Sequence, residues 1–163
     1  MVDVWQPAYI GVGSNVDSPS AQVRRAVSKL GSLTGTRVVC VSPLYGSRPF
    51  GPIAQPDFVN AVVAVLTQLT SRALHSELQA LEKGLGRPVQ HQKWGPRVID
   101  LDLLVYGRER STAPELTLPH AGIGERNFVL FPLADIAPDL NVPGLGRVSE
   151  LAARVSAKDI WPL

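Results

Sequence analysis

Cysteine, strong net charge and long apolar runs are all scarce in this 163-residue chain, and each absence excludes a class of protein. Cys40 is the only cysteine, so the chain can form neither an intrachain disulfide nor a zinc site made of cysteines. The net charge of +2 is too small by itself to indicate a nucleic-acid partner. No apolar run approaches the roughly 18 residues of a membrane span, and no secretory signal is visible. These absences favour a cytoplasmic enzyme or binding domain without a membrane partner.

The composition that remains is that of one folded domain covering residues 1–163. Hydrophobic residues make up 45% of the chain and charged residues 18%, which is ordinary for a protein with a packed core. Cys40 lies in a strand-like run and is predicted to be a small buried side chain. Gly11 and Gly13 follow a predicted strand, but the third glycine and the acidic residue of a dinucleotide fingerprint are missing.

The periodicity of apolar residues predicts an alternation of strands and helices. Strands are predicted at 8–13, 37–45, 58–66 and around the pair Asp100 and Asp102, and helices at 19–33, 70–85, 127–136 and 149–155. Proline and glycine indicate a loop at 46–57, and a polar, basic loop is predicted at 87–97. The order βαββαβ predicts an α+β fold, a ferredoxin-like core whose mainly antiparallel sheet carries both helices on one face, with C-terminal additions.

Two carboxylates share one face of the strand that follows Gly95-Pro96-Arg97. Side chains alternate along a strand, so Asp100 and Asp102 point to the same side and Leu101 to the other. Neighbouring carboxylates repel each other unless a cation lies between them, and Mg²⁺ is commonly held by one or two carboxylates together with substrate phosphates. The alternative is a half-buried strand with a solvated acidic face.

A cluster of cations comes directly before this acidic strand. Arg87, His91, Lys93 and Arg97 fall within eleven residues, with Trp94 among them. Such cations suit phosphate groups, which arginine can bind with two parallel hydrogen bonds. A site where a metal ion and a polyphosphate bind together would explain why cations come directly before two carboxylates. The alternative is a loop whose charges are only solvated. Glu82, near the end of the second predicted helix, is either helix surface or a partner of these cations.

Aromatic and amide side chains flank the proline-rich loop. Phe50 lies within it, and Phe58 and Asn60 follow at the start of the next strand. An aromatic face can stack on a flat heterocycle while an amide supplies a donor and an acceptor. Alternatively, Phe58 and Asn60 serve strand packing and a turn contact. His120, which follows a proline, is by itself more typical of a structural hydrogen bond than of catalysis.

Four sequence blocks, taken together in this order, resemble the 6-hydroxymethyl-7,8-dihydropterin pyrophosphokinase family of folate biosynthesis. The blocks are Gly13-Ser14-Asn15, Gln55-Pro56-Asp57-Phe58-Val59-Asn60-Ala61, Trp94-Gly95-Pro96-Arg97-Val98-Ile99-Asp100-Leu101-Asp102-Leu103-Leu104, and Leu116-Thr117-Leu118-Pro119-His120 with Arg126 and Phe128. The resemblance spans nearly the whole chain. It implies transfer of pyrophosphate from ATP to the pterin hydroxymethyl group, with AMP as the other product.

The resemblance also implies a role for each matching residue. Asp100 and Asp102 would hold two Mg²⁺ ions, and Arg87 and Arg97 would complete the catalytic set. The pterin would be bound by Ser47, Phe50, Phe58, Asn60 and Phe128, with Phe58 and Phe128 sandwiching its ring. The ATP site would comprise Gln79, Glu82, Arg87, Lys93, Trp94, Arg97, Leu103, Thr117, His120 and Arg126.

Several positions depart from the family pattern, and two other functions stay open at this point. Ser47-Arg48-Pro49-Phe50-Gly51 stands where Thr-x-Pro-Leu/Trp-Gly is more usual, and Val89, Gln90, Glu115 and Ala121 replace common residues. The alternatives are a single-stranded nucleic-acid-binding βαββαβ module and a different two-metal phosphoryl or nucleotidyl transferase. The expected partners are the small molecules ATP and hydroxymethyldihydropterin, with no nucleic acid, for a monomer or homodimer.

Overall fold

A central antiparallel sheet organises the computed structural model, which describes residues 4–86, 96 and 98–163. Its helices are α1 (Pro19–Leu30), α2 (Ser71–Gly84), α3 (Asn127–Ile136) and α4 (Val148–Arg154). Its strands are β1 (Gln6–Ser14), β2 (Thr36–Val41), β3 (Tyr45–Ser47), β4 (Phe58–Thr67), β5 (Asp100–Tyr106), β6 (Ser111–Ala113), β7 (Leu116–Leu118), β8 (Asn141–Val142), β9 (Gly146–Arg147) and β10 (Ile160–Pro162).

Six of these strands form one sheet in the order β10-β3-β4-β1-β5, with β2 also paired to β4. All the pairings are antiparallel, and β1 runs between β4 and β5. The strands β1, β2, β4 and β5 with α1 and α2 give the βαββαβ order that the sequence predicts, so the ferredoxin-like α+β fold is confirmed.

The two faces of the sheet carry different helices. Apolar residues of α1 and α2, such as Leu30 and Leu78, pack with one face of the sheet. The opposite face packs against α3 and α4 through residues such as Leu130 and Leu133. Burying one such leucine stabilises the folded state by about 1.5–3 kcal/mol. The apolar contacts on both faces therefore hold the sheet between the two pairs of helices. Within the described ranges, no helix is both long enough and apolar enough to cross a bilayer.

The strand predicted at 37–45 is wrong in its extent, because the chain divides there into β2 and β3. Pro43 follows β2 and has no N–H to offer a strand ladder. Ser42 bonds to Val62 twice, donating from its backbone N to the Val62 carbonyl at 2.9 Å and accepting from the Val62 N–H at its Oγ at 2.9 Å. The strand β3 then begins before the region predicted to be a loop and extends into it.

The prediction that Cys40 is buried is also wrong, since its side chain is exposed. A register shift in β2 between Val38 and Cys40 is the reason. Val38 pairs with Val65 and packs against the α1 and α2 side, whereas Cys40 pairs with Ala64 on the other face. The helix at 127–136 is confirmed, and α2 begins after Thr70, whose Oγ1 accepts a hydrogen bond from Ala73 N at 3.2 Å.

Candidate functional site

A cavity of about 330 Å³ opens on the face of the sheet that carries α3. Its volume lies at the lower end of the range for small-molecule sites, roughly 300–1,000 Å³. Strands β1, β3, β4 and β5, the loop after β3, the segment before α3 and the start of α3 supply its walls. They do so through Gly11, Val12, Gly13, Ser47, Arg48, Phe50, Gln55, Phe58, Asn60, Ala61, Asp100, Asp102, His120, Arg126, Phe128 and Val129.

One wall is acidic and lies on β5. Asp100 and Asp102 line the cavity, while Leu101 between them is buried in the core on the other face. In the register of β1 and β5, Asp100 pairs with Gly13 and Asp102 with Gly11. Both cross-strand partners are glycines that line the cavity, and neighbouring side chains take up the room that a side chain would need. A Cβ added to Gly13 would lie 3.3 Å from Asn60 Oδ1, and one added to Gly11 would lie 3.4 Å from Leu104 Cδ2. The Gly11-x-Gly13 pair, weak as a nucleotide fingerprint, has this structural role instead.

The donor set of this wall suits a hard cation. Two carboxylates on one strand match the one or two protein ligands that Mg²⁺ takes when waters and phosphates complete its coordination. Among the residues that the structure describes, no group of three or more His, Cys, Asp or Glu forms a cage for a metal. The described part of the site therefore fits a metal that shares its ligands with a phosphorylated substrate better than it fits the closed four-ligand set of a structural zinc site.

His120 lies beside this acidic wall and is held in a defined orientation. Its backbone N donates to Leu104 O of β5 at 2.8 Å, and its Nδ1 accepts from Gly122 N at 3.2 Å. Burial lowers the pKa of His120; Asp102 opposes this shift, and Arg126 adds to it. The pattern favours a neutral imidazole whose proton is on Nε2.

Arg126, six residues after His120, brings a positive charge to the cavity, and its position depends on a glycine. A Cβ added to Gly122 would lie 2.4 Å from Arg126 Nε and 2.7 Å from its Cζ, so only glycine leaves room for the guanidinium there. Arg126 Cζ also lies 5.8 Å from the ring centroid of Phe128. Sequence reasoning found Arg126 but missed Gly122, because the contact is a close approach that local pattern does not reveal.

The opposite wall is aromatic and amide in character. Asn60 Nδ2 donates to Ser47 Oγ at 2.8 Å, and both side chains are buried. The rings of Phe50 and Phe128 lie 5.4 Å apart between centroids, tilted by 57°. Phe58 lines the same space. These side chains can present π faces and an oriented amide to a flat polar heterocycle.

A buried asparagine fixes the loop that forms the rim of this wall. Asn15, 1% exposed, donates from Nδ2 to Gln55 Oε1 at 2.8 Å and to Pro56 O at 2.9 Å. These bonds join the end of β1 to the loop between β3 and β4. Asn15 and Gln55 belong to the sequence blocks of the resemblance, but the contact between them could not be derived from either block alone.

The structure places the other predicted site residues outside this cavity or outside the described residues. Gln79 lies in a second depression, next to the exposed ion pair of Arg72 and Glu115 at 3.1 Å. Leu103 is buried in the core on the other face of the sheet, and Glu82 is a buried residue of α2. Thr117 Oγ1 donates to Ala113 O at 3.2 Å. Arg87, His91, Lys93, Trp94 and Arg97 lie outside the described residues.

Comparisons with known proteins agree on one family. Residues 9–138 match the model of 7,8-dihydro-6-hydroxymethylpterin-pyrophosphokinase (HPPK). A 2-amino-4-hydroxy-6-hydroxymethyldihydropteridine pyrophosphokinase of Pseudomonas aeruginosa is 45% identical over 148 residues, covering 91% of each chain. The same-named protein of Methylorubrum extorquens is 44% identical over 153 residues, 94% of this chain and 96% of that one.

A solved structure supports the fold independently of sequence identity. The Plasmodium falciparum HPPK-DHPS A437G variant with pteroate superposes with a TM-score of 0.72 at 12% identity. The match covers 92% of this chain and 41% of the Plasmodium chain, so this chain spans less than half of that protein.

Proposed function

The chain belongs to the 7,8-dihydro-6-hydroxymethylpterin-pyrophosphokinase family and transfers pyrophosphate from ATP to hydroxymethyldihydropterin in folate biosynthesis, and we propose that its cavity is the site of this transfer. One observation carries the proposal. The two carboxylates of Asp100 and Asp102 and the aromatic and amide wall of Phe128 and Asn60 line the same 330 Å³ space. A phosphate-bearing substrate and a flat heterocycle would therefore meet there.

The pterin would occupy the aromatic and amide wall. Phe58 and Phe128 would face the ring, while Asn60 and Ser47 would bond to its polar edge. Phe50, already in contact with Phe128, would close the rim. A hydrogen-bonding edge of this kind discriminates strongly between heterocycles, because a wrong ligand leaves buried polar groups without partners.

The acidic wall would hold two Mg²⁺ ions together with the ATP phosphates, and Asp100 and Asp102 would be their protein ligands. A metal held by these two carboxylates would supply charge neutralisation for the phosphates and would help to align the attacking hydroxyl with the β-phosphorus. The chain itself contributes the placement of both carboxylates on one face of β5, which follows from the alternation of side chains along that strand.

His120 and Arg126 would bind phosphate oxygens on the same side of the cavity. His120 accepts at Nδ1 from Gly122, so a neutral ring donates from Nε2, and Arg126 supplies a permanent positive charge. Phosphoryl transfer depends mainly on positioning and charge neutralisation; His120 would contribute positioning through its Nε2 donor, and Arg126 would contribute the positive charge. The remaining contributions to the ATP site stay predictions from the sequence; they concern Gln79, Glu82, Arg87, Lys93, Trp94, Arg97, Leu103 and Thr117.

Product analysis tests the reaction, and the Asp102→Ala variant tests the site. The enzyme, incubated with Mg²⁺, ATP and hydroxymethyldihydropterin, should release AMP and the pterin pyrophosphate in equal amounts. ADP or free pyrophosphate as the main product would indicate a different phosphoryl or nucleotidyl transferase. Nucleic-acid binding is not favoured, because the family model and the named relatives are those of a pyrophosphokinase. We propose that residues 1–163 act as one cytoplasmic domain, as a monomer or a homodimer.

A further inference from the structure

Residues 156–163, called here the 156–163 segment, extend the central sheet beside the cavity. The strand β10 in this segment pairs antiparallel with β3, with Trp161 opposite Gly46. Arg48 N of the rim loop donates to Asp159 O at 3.0 Å, and the side chains of these two residues form an ion pair at 3.4 Å. The strand β3 is therefore held by β4 on one side and by the 156–163 segment on the other.

The indole of Trp161 lies against the backbone of Gly46. A Cβ added to Gly46 would lie 2.2 Å from Trp161 Nε1 and 2.4 Å from its Cε2, so any other residue would displace the ring. Gly46 is buried and has no positive φ, so this contact accounts for a glycine here where backbone conformation does not. Gly46 immediately precedes Ser47, the residue that bonds to Asn60 in the cavity wall.

The other end of the 156–163 segment binds the start of α3. Asn127 Nδ2 donates to Ser156 O at 2.8 Å and to Lys158 O at 2.9 Å. Asn127 is the first residue of α3 and directly precedes Phe128. One short stretch of chain therefore contacts both sides of the aromatic half of the cavity: it pairs with β3, which contains Ser47, and it bonds to Asn127, which directly precedes Phe128.

We propose that the 156–163 segment positions the pterin pocket, with Trp161 and Asn127 as positioning residues. Neither residue lines the cavity, so each acts through a neighbour, Trp161 through β3 and Asn127 through the start of α3. The span between the two walls sets the contact of Phe50 with Phe128, whose centroids lie 5.4 Å apart. This inference rests on the proposed function, in which Ser47, Asn60 and Phe128 bind the pterin.

The expected signature is a loss of pterin affinity that spares ATP. Asp100 and Asp102 lie on β5, which β4 and β1 separate from β3 in the sheet. Releasing β3 should therefore leave the two carboxylates in place. Trp161→Ala should weaken pterin binding roughly tenfold, because displacements of the order of 1 Å in a binding constellation cost up to about a hundredfold. Asn127→Ala should also weaken pterin binding, and more than it weakens ATP binding, although Arg126, which is assigned to the phosphates, directly precedes Asn127. Trp161→Phe should restore most of the affinity.

The experiment measures two dissociation constants in the folded chain of residues 1–163. The probes are 6-hydroxymethylpterin, followed by its fluorescence, and the non-transferable analogue α,β-methylene-ATP with Mg²⁺. The matched control is Trp5→Ala, which removes a partly exposed tryptophan that lies over Arg37 rather than beside β3. Weaker pterin binding with an ATP-analogue affinity within twofold of wild type supports the proposal. Unchanged pterin binding, or an equal loss for both ligands, overturns it.

Two further variants distinguish a failure of the positioning role from a failure of the proposed function. If Trp161→Ala does not fold, Asn127→Ala decides, because its side-chain bonds are solvent-exposed and their loss leaves the core intact. A loss of pterin affinity larger than the loss of ATP-analogue affinity then supports the proposal, and unchanged pterin binding or an equal loss for both ligands overturns it. Phe128→Ala tests the proposed function on its own, since Phe128 lines the cavity. If Phe128→Ala leaves pterin affinity unchanged, the assignment of the pocket fails. If it weakens pterin binding while Trp161→Ala and Asn127→Ala do not, only the positioning role fails.

Discussion

Asn60 and Ser47 are joined side chain to side chain across two neighbouring strands, with Asn60 Nδ2 donating to Ser47 Oγ at 2.8 Å. Both are buried, at 5% and 4% exposure, so the bond forms in a poorly solvated environment where its orientation is well defined. A Cβ added to Gly13 would lie 3.3 Å from Asn60 Oδ1, so β1 closely flanks the other end of the amide. The amide is therefore fixed on both sides at the cavity wall.

Asn60→Ala should raise the KM for the pterin by roughly tenfold or more, with little change for ATP. The substitution removes the group proposed to bond to the pterin edge and leaves the buried Ser47 hydroxyl without its partner, which costs about 1–3 kcal/mol. Ser47→Ala is the matched variant, because it removes the hydroxyl and keeps the amide, and its effect should be smaller. Steady-state kinetics with each substrate varied in turn checks this, and an equal rise in both KM values would contradict it.

Asp102→Ala should abolish turnover far more than it weakens pterin binding. Asp102 lies on the acidic wall, away from the aromatic wall, and losing a metal ligand removes several kcal/mol of charge stabilisation, or roughly a 10²–10³-fold fall in kcat. Single-turnover production of AMP and pterin titration measure the two effects separately. Asp139→Ala, at an exposed position outside the cavity, is the control and should match wild type. Near-normal AMP production by Asp102→Ala would remove Asp102 from the mechanism.

The three tyrosines of the chain should resist ionisation in the folded state. Burial raises the pKa of Tyr9 and Tyr106, and burial together with the hydrogen bond to Asp135 raises the pKa of Tyr45 to about 12. An unfolded tyrosine ionises near pH 10, so above that pH the unfolded chain holds fewer protons than the folded one. Stability contributed by Tyr45 is therefore complete below pH 10 and is lost as the pH rises from 10 towards 12.

A titration to alkaline pH, followed by phenolate absorbance, tests whether the tyrosines ionise at a higher pH in the folded protein than in the unfolded protein. Folded protein should show midpoints above pH 10, and protein in denaturant a midpoint near pH 10. Tyr45→Phe should lose less stability than wild type between pH 10 and 11 in denaturant titrations, because it removes the proton that the folded state retains. If the stabilities of wild type and Tyr45→Phe fall in parallel as the pH rises, the contact with Asp135 does not keep the Tyr45 hydroxyl protonated.

The acidic wall could be predicted from the sequence because it depends on a local rule. Alternation along a single strand places Asp100 and Asp102 together whatever the rest of the chain does. The order of helices and strands was likewise local enough to predict the ferredoxin-like core, since the periodicity of apolar residues acts within a few positions. Recognising both substrates required more than either rule, and it came from the four blocks read together.

The contacts that shape the aromatic wall are non-local, and the sequence alone did not reveal them. The strand β3 is three residues long and follows Pro43, so its apolar pattern was too short to separate it from β2. Its partner β10 lies at the other end of the chain, and neither strand indicates the other. The same holds for Asn15 with Gln55 and for Gly122 with Arg126. Close approach between distant segments is a property of the packed fold, which local propensity does not encode.

The contact between Gly46 and Trp161 leads to a prediction about stability. Gly46→Ala should destabilise the protein by about 1–3 kcal/mol, because its Cβ would overlap the indole and force the strands apart. In the Trp161→Ala background the same substitution should cost much less, since the overlapping ring is gone. The two changes should therefore couple by about 1 kcal/mol or more in a double-mutant cycle measured by urea unfolding.

Gly84→Ala is the matched control for this cycle. Gly84 closes α2, has no heavy atom within 4 Å of an added Cβ, and should accept alanine with no loss or a small gain in stability. Its effect should also be the same with and without Trp161, because the two positions share no contact. If Gly46→Ala costs the same in both backgrounds, the indole does not impose the requirement for glycine. If coupling is found, the unfolding data and the pterin affinity of Trp161→Ala report on the same strand pairing.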